Sequence, residues 1–416
     1  MVWPRPPAGF RKVPDLRASL RARLLERFPN LPSKPMVVLL LLVFTKQIGN
    51  GMVWSVLAVY GHSLGASAAM VGLMISAFGG ARLVVNMPAG YLSEKLGRRR
   101  MMSIGCVFLA IASFAIVLTS DVPAFFICLL VMGIASSVLI TSALAAVADL
   151  GRPDRRIQDM SYYQGANMIG ASMGPALGGI AAGLWGYSST FLVNGFIALF
   201  GIVAFATMPW PKEERSDRPQ STPGQLRALA RAGLGVGLMS FAIFYVRTSS
   251  NWILMPIIAQ TRFGLDMTSI GLILTGGALS NLSILAFNAR LAKRYGHIRM
   301  ISVASAVTLV GCGTLAFGDH PIFLVLSSIL FGIGGGIGNP TLTAYVADVA
   351  PANQRGPAMG LLRTMQDLAL LVGPFITGVL SEHLGLGYQG GLLGCLAVLA
   401  IATLSFNWAA RRAAGG

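Results

Sequence analysis

Long apolar runs separated by short polar turns make up most of the sequence. A membrane-spanning helix needs about 20 mostly apolar residues, and the chain contains twelve such runs. Membrane β-barrels show short segments of alternating polarity instead, so the pattern predicts an all-α membrane protein with twelve transmembrane helices. We place these helices at residues 36–60, 69–92, 101–120, 123–148, 160–184, 189–208, 235–259, 268–291, 299–317, 321–347, 357–381 and 388–409.

The composition agrees with a membrane protein. Hydrophobic residues make up 54% of the chain and charged residues only 11%, whereas soluble domains carry about 25% charged residues. The net charge of +17 is typical of nucleic-acid-binding proteins among soluble chains. Here the charges lie mostly in turns, and we expect no nucleic-acid partner. The sequence contains no nucleophile–base pair, Walker A loop or metal-ligand set, so we expect neither an enzyme nor a bound cofactor or metal.

Basic residues are distributed unevenly between the turns. The leader and every second turn carry Lys and Arg, whereas the intervening turns contain none except Arg262. Basic turns remain on the cytoplasmic side of a membrane, so both termini are predicted to be cytoplasmic. Between residues 16 and 28, an apolar residue recurs every four positions and arginines lie between them. This pattern favours a helix on an anionic lipid surface, and a solvated basic tail is the alternative.

The Arg-, Ala- and Gly-rich composition favours a bacterial inner membrane.

The two halves of the chain repeat each other at an offset of 199 residues. Asp149 aligns with Asp348, and Gly174 aligns with Gly373, without a gap. Two parallel six-helix bundles follow, as in one group of secondary transporters whose substrate site lies between the repeats. The predicted organisation is a basic leader at 1–35, an N-terminal bundle at 36–208, a linker at 209–232, a C-terminal bundle at 233–409 and a tail at 410–416.

The turn after the second predicted helix carries a recognisable motif. Residues 90–99 read GYLSEKLGRR and resemble the signature loop of the major facilitator superfamily, Gly-x-Leu-x-Asp-Arg-x-Gly-Arg-Arg. A degenerate second copy lies at 289–299. The resemblance implies the twelve-helix major facilitator fold and transport by alternating access. The matching residues are Gly90, Leu92, Gly97, Arg98 and Arg99, with Glu94 and Lys95 replacing the Asp and the first Arg.

The residues of this loop are suited to closing the cytoplasmic side of a transporter. Gly90 permits a close approach of helices, and Gly97 permits a tight turn. Glu94 lies at the cytoplasmic rim, where it can face a helix N-terminus of the other half and hold an inner gate shut. The resemblance adds Asp149, at the end of the fourth helix, as a partner for the loop arginines. The alternative is a basic turn that only sets topology.

The fifth predicted helix contains GASMGPALGG at residues 170–179. This segment resembles the family's antiporter motif, Gly-x-x-x-Gly-Pro-x-x-Gly-Gly, which implies a drug–proton antiporter of the exporting kind. The sequence departs from those exporters at Leu129, where they usually carry an arginine. A packing groove with no bearing on direction is the alternative. The matching residues are Gly170, Gly174, Pro175, Gly178 and Gly179.

Three charged residues lie deep within the predicted second and eleventh helices. Arg82 and Asp367 lie about 15 Å from the cytoplasmic ends of their helices, and Arg363 lies about 9 Å in. Charged residues inside a membrane are usually functional. Arg363 and Asp367 are four residues apart and share a helix face, and the resemblance implies that Arg82 packs near Asp367. Asp367 is therefore the predicted proton-coupling group, with a permanent structural salt bridge as the alternative.

Two further cations, Lys46 and Arg247, lie in the first and seventh predicted helices. The resemblance implies that these helices line a central cavity. Gln47, Asn50 and Asn251 add polar groups on the same faces. Four buried cations against one buried anion leave such a cavity near +3, which favours an anionic or zwitterionic substrate.

The most consistent function is proton-coupled efflux of a small organic compound by a monomeric transporter. The antiporter motif favours this interpretation. The closest alternative is a proton-coupled uptake permease for an organic anion, such as a carboxylate or a siderophore, with which the cationic cavity is compatible. An alternative from another class is a membrane protein for assembly or sensing that no longer transports. The expected partners are a small-molecule substrate, protons and the lipid bilayer.

Overall fold

A computed structural model shows how these runs fold. It describes residues 33–119, 121–151, 156–207, 223–349, 355–383 and 387–415, and within these ranges every regular element is helical. The predicted basic leader lies outside the described residues, as does most of the linker.

Twelve helical segments follow one another within the described ranges. Eleven of them are α-helices throughout, and the seventh, α7, consists of an α-helical section, a π-helical section and a second α-helical section in direct succession. The helices are α1 (Lys34–Ser63), α2 (Ala68–Leu96), α3 (Arg98–Leu118), α4 (Val122–Leu150), α5 (Arg156–Trp185), α6 (Ser188–Thr207), α7 (Pro223–Val246, Arg247–Leu254 and Met255–Thr261), α8 (Met267–Tyr295), α9 (His297–Phe317), α10 (Ile322–Val349), α11 (Arg355–His383) and α12 (Tyr388–Gly415).

The predicted number of helices is confirmed. Eleven of the described helices are long and apolar enough to cross a membrane, and α7 is the twelfth. The π-helical section of α7, with the sequence RTSSNWIL, was not predicted. Several helices extend beyond the apolar runs, because an α-helix can continue past the hydrocarbon region. The largest extensions are in α7, which begins inside the predicted linker, and in α12, which includes most of the predicted tail.

The turns reproduce the sequence repeat in three dimensions. Gly97 and Gly296 both have a positive φ, 96° and 82°, and each joins two helices directly. Ser67 and Asp266, which are also 199 residues apart, cap the N-termini of α2 and α8 with their side chains. Hydrogen bonds from Ser269, first from its hydroxyl, hold the pKa of the Asp266 carboxyl below its usual range. The repeat therefore extends to backbone conformation and helix capping.

The two bundles meet through α2 with α11 and through α5 with α8. Both pairs pack closely at small residues. A Cβ atom on Gly79 would lie 2.7 Å from the backbone carbon of Leu370, and one on Gly179 would lie 2.7 Å from the Cα of Gly271. Glycine is required at both positions, because the neighbouring atoms belong to backbone.

The contacts between the bundles lie mainly toward the end of the molecule opposite the basic turns. There Trp54 of α1 stacks on Trp252 of α7 with ring centroids 4.7 Å apart, and Glu382 of α11 accepts a hydrogen bond from the backbone N–H of Ala69. Toward the basic turns, Val84 and Met87 of α2 are 73% and 86% exposed. In a membrane-spanning protein such exposed apolar side chains contact either lipid or the crevice between the two bundles.

Candidate functional site

An ion pair joins the two bundles inside the membrane-spanning region. Asp367 of α11 is 1% exposed, and its Oδ1 lies 3.0 Å from Nη2 of Arg82 of α2. Asn86, one turn after Arg82, donates a hydrogen bond to Asp367 Oδ2 at 2.7 Å. Arg363 Nε lies farther from the same oxygen, at 3.7 Å, and its side chain is 46% exposed. The structure thus brings together the three charged residues predicted to be neighbours.

Asn86 is an additional member of this cluster that the sequence analysis did not identify. Ser137 of α4 donates a hydrogen bond to Asn86 Oδ1 at 2.6 Å, which orients the amide so that its NH₂ group faces Asp367. The spacing of four residues between Arg82 and Asn86 was a usable signal, since such residues share a helix face. Arg82 Nε has no hydrogen-bond partner among the described residues. Asn86 therefore adds a neutral donor beside the charged contact between Arg82 and Asp367.

The signature loop is held by an ion pair to the end of α4. Arg98 Nε lies 3.0 Å from Asp149 Oδ2, as the family resemblance implied. Glu94 Oε1 lies 3.7 Å from Arg98 Nη2, and the Glu94 side chain is 61% exposed. Glu94 thus contacts a residue of its own loop. Its expected contact with the other half stays a prediction, because residues 350–354 before α11 are outside the described range. Arg99 donates hydrogen bonds to the carbonyls at the end of α6.

Gly90 lies beside α4. A Cβ atom at this position would meet the Thr141 methyl group at 3.6 Å, which is an ordinary van der Waals distance. Its expected role in a close approach of helices stays a prediction. Gly97, in contrast, has the positive φ that the tight turn demands.

The second copy of the loop has a different cation. His297 Nε2 lies 3.0 Å from Asp348 Oδ2, at the positions equivalent to Arg98 and Asp149. The imidazole is charged only when it is protonated. The two halves therefore share the geometry of this ion pair but not its permanence.

The antiporter motif on α5 packs against two different helices. Cβ atoms on Gly174 and Gly178 would lie 2.5 and 2.6 Å from backbone atoms of Gly51 and Met52 in α1, whereas Gly179 faces α8. Gly170 also faces α1, at the carbonyl of Phe44, and Pro175 lies inside the helix without ending it. These residues account for close packing within the N-terminal bundle and across the interface.

Lys46 lies in a cavity inside the N-terminal bundle, enclosed by α1, α3, α4, α5 and α6. Its Nζ donates a hydrogen bond to Gln47 Oε1 at 3.2 Å. No carboxylate within the described ranges lies at ion-pair distance from this ammonium. The cavity has a volume of about 50 Å³.

Arg247 occupies a different place, at the start of the π-helical section of α7. Its guanidinium lies 5.9 Å from the Phe244 ring centroid and 5.4 Å from that of Trp252. Nearby Asn251 has a buried Oδ1 without a hydrogen-bond partner among the described residues, and Asn50 is half-buried on α1. Lys46 thus borders a cavity of its own bundle, Arg247 lies on aromatic rings, and two arginines flank Asp367. Lys46 also lies within electrostatic range of Arg82 and Arg363, and a single substrate cavity near +3 stays a prediction.

Comparison with known proteins identifies the family. The model of the Major Facilitator Superfamily matches residues 39–246 and again residues 236–414. The chain belongs to the Major Facilitator Superfamily. The two matches correspond to the two repeated halves. The protein is therefore a multi-pass membrane transporter for a small molecule and not an enzyme.

Relatives within this superfamily cover most of the chain. Multidrug resistance protein 1 of Bacillus subtilis is 26% identical, over 83% of this chain and 90% of the relative. The quinolone resistance protein NorA of Staphylococcus aureus is 21% identical, over 84% and 90% of the two chains. The crystal structure of the nucleoside transporter NupG superimposes with a TM-score of 0.76 at 16% identity and covers 91% of this chain and 99% of that chain, which shows a shared fold.

Proposed function

We propose that this transporter exports a small organic compound in exchange for protons, and that Asp367 carries the proton. The observation that supports this most directly is the position of Asp367, a buried carboxyl on α11 that is bound by Arg82 and Asn86 of α2. Its charge therefore influences the contact between the two bundles. The relatives named for multidrug and quinolone resistance favour export. We further propose a monomer in a bacterial inner membrane with both termini in the cytoplasm.

The geometry suggests how proton binding and bundle movement are linked. The ionised Asp367 attracts Arg82 across the interface, and at this depth little water screens the attraction. A proton on Asp367 removes the negative charge, so the same contact becomes a weaker neutral one. The bundles then separate more easily along α2 and α11. Arg363 lies on the same helix as Asp367 and half exposed to the crevice, where it remains near the carboxyl when the bundles part.

A second candidate function is proton-coupled movement of an organic anion, including uptake. Lys46 and Arg247 favour an anionic substrate, because no carboxylate in the described part of the chain pairs with either cation. Buried cations without a counter-ion are costly, and a substrate carboxylate would supply one. Direction of transport separates this function from export.

The test uses everted membrane vesicles with an imposed proton gradient, acidic inside. Export coupled to protons predicts that the wild-type protein concentrates a quinolone or another lipophilic drug inside the vesicles, and that collapsing the gradient abolishes the accumulation. Asp367→Asn is expected to retain exchange of labelled for unlabelled substrate but to lose accumulation. Asp319→Asn is the matched control, because Asp319 is 87% exposed in its side chain and pairs with Arg262 in an outer turn.

Two outcomes contradict the proposal. Accumulation that is unchanged in Asp367→Asn shows that Asp367 does not couple the transport. If intact cells take up a labelled organic acid and lose this uptake when the gene is deleted, the protein is an uptake permease and not an exporter.

A further inference from the structure

The cavity around Lys46 is a chemically distinct compartment of the N-terminal bundle. It is lined by α3 and α6 as well as by α1, α4 and α5, so its apolar part lies within one bundle. Lys46 and Tyr163 at its rim lie within electrostatic range of Arg363 in the other bundle. Met102, Leu109 and Leu139 supply buried apolar walls around it. One ammonium group therefore stands at the edge of an otherwise aliphatic pocket.

The Lys46 ammonium has hydrogen-bond donors that are not used within the described residues. A lysine ammonium has three donors, and the hydrogen bond to Gln47 Oε1 at 3.2 Å uses one of them. Lys46 as a whole is half-buried, whereas most of the cavity walls are buried, so the lysine marks the polar end of the pocket. Tyr163 and Asn167 of α5 also border the cavity and add a hydroxyl and an amide near this rim.

From this arrangement we infer that the cavity binds a short-chain aliphatic monocarboxylate, with the carboxylate on Lys46 Nζ and the hydrocarbon body between α3, α4 and α6. The volume of about 50 Å³ holds roughly four water-sized groups, which suits a body of a few carbon atoms. Charge-assisted hydrogen bonds from an ammonium to a carboxylate are the strong kind. This inference rests on the proposed function in one respect, since it names the class of the transported compound.

Binding to the purified protein in lipid nanodiscs tests the site without any assumption about direction or coupling. The probes are sodium butanoate, 1-butanol, butylammonium chloride and sodium chloride, measured by isothermal titration calorimetry. We expect butanoate to bind at least about tenfold more tightly than each of the other three, because only butanoate combines a charge-assisted bond with an apolar body. Equal binding of butanoate and 1-butanol overturns the inference, and so does equal binding of butanoate and chloride.

Variants locate the binding. Lys46→Met preserves side-chain length and is expected to weaken butanoate binding by at least about tenfold, whereas Lys46→Arg retains binding. Lys293→Met, at an exposed lysine in the last turn of α8, is the matched control and leaves binding unchanged. Ala198→Leu fills the pocket and weakens butanoate binding while Lys46 remains. Unchanged butanoate affinity in Lys46→Met overturns the inference that Lys46 binds the carboxylate. If this variant does not fold, the comparison of the four probes on the wild-type protein tests the inference instead.

Exchange of labelled for unlabelled butanoate in proteoliposomes tests whether the bound acid is transported. This exchange needs neither a proton gradient nor a preferred direction. Wild-type exchange that is lost in Lys46→Met supports the assignment of the compound class, and binding without exchange overturns it. The experiments distinguish failure of this inference from failure of the proposed function. If the proposed function is wrong, Asp367→Asn accumulates substrate normally while butanoate still binds at Lys46.

Discussion

His297 lies 3.0 Å from Asp348 in the same relationship that Arg98 has to Asp149 in the other half. Histidine side chains change charge between about pH 5 and pH 8, whereas arginine stays charged throughout this range. Both ion pairs stand at the gating loops on the side of the basic turns. One loop is thus clamped by a permanently charged side chain, and the other by an imidazole that contacts Asp348 at hydrogen-bond distance.

The first prediction concerns this histidine. His297→Arg makes the second clamp permanent, so transport should lose part of its dependence on pH at the loop side between about pH 5 and pH 8. The measurement is transport by proteoliposomes of fixed orientation with varied pH on that side only. His320→Arg, in a turn at the opposite end, should leave the profile unchanged. If His297→Arg has the same dependence of transport on pH as the wild type, the contact between His297 and Asp348 does not contribute to that dependence.

The second prediction separates the two acidic partners of Arg98. The Arg98 side chain is 11% exposed and lies at 3.0 Å from Asp149, whereas Glu94 is 61% exposed and lies at 3.7 Å. Exposed ion pairs contribute about 0–1 kcal/mol, so Glu94→Gln should retain most transport. Arg98→Ala and Asp149→Asn should both reduce it strongly while the protein remains inserted. Equal loss in Glu94→Gln would indicate that Glu94 acts on the other half instead.

The third prediction compares the two arginines beside Asp367. Arg82 is 8% exposed, and its removal leaves a buried carboxylate without its nearest cation, which typically destabilises a protein by about 3–5 kcal/mol. Arg363 is farther away and half exposed, so Arg363→Ala should destabilise much less. Thermal unfolding in detergent measures both effects. The double variant Arg82→Ala/Asp367→Asn should recover much of the lost stability, because the orphaned charge is gone, and a double variant that is as unstable as Arg82→Ala alone contradicts a direct pair.

The fourth prediction uses the glycines of α5 to separate folding from bundle closure. Gly174→Ala collides with α1 inside the N-terminal bundle and should lower the unfolding temperature, whereas Gly179→Ala collides with α8 of the other bundle. Gly179→Ala should therefore preserve folding and impair transport by keeping the outer side from closing. Gly165→Ala on the same helix meets no atom within 4 Å and is the control for both measurements. Normal transport in Gly179→Ala would show that α5 and α8 need not approach this closely.

The sequence predicted the helices well because a bilayer imposes a length on them. Each apolar run had to be long enough to cross, and each basic turn had to remain on one side. The repeat likewise predicted the second gating loop, since Gly296 and Asp348 occupy the places that the offset gives them. Arg82 and Asp367 were found as neighbours because few charges exist at that depth, so few pairings were available.

The direction in which each side chain points was harder to predict. A helix that is apolar on all sides has no hydrophobic face to orient it, and in α1 every residue from Met52 to Gly61 is buried. The predicted depth therefore gave a position for Lys46 along its helix, but it did not show that the side chain points into its own bundle. Asn86 and Ser137 were missed for a related reason, because neutral polar residues are common in such helices and only contacts across helices distinguish them.

The π-helical section of α7 has a consequence for the ancestry of the two halves. A π-helix places about one more residue in each turn than an α-helix does, so the part of α7 before this section is rotated relative to the corresponding part of α1. The two halves still align without a gap, yet equal positions in the alignment no longer present equal faces. Lys46 and Arg247 lie near each other in that alignment and occupy unlike surroundings in space. A duplicated gene can thus acquire two different sites from one ancestral helix by a change in winding, before any residue at those sites is exchanged.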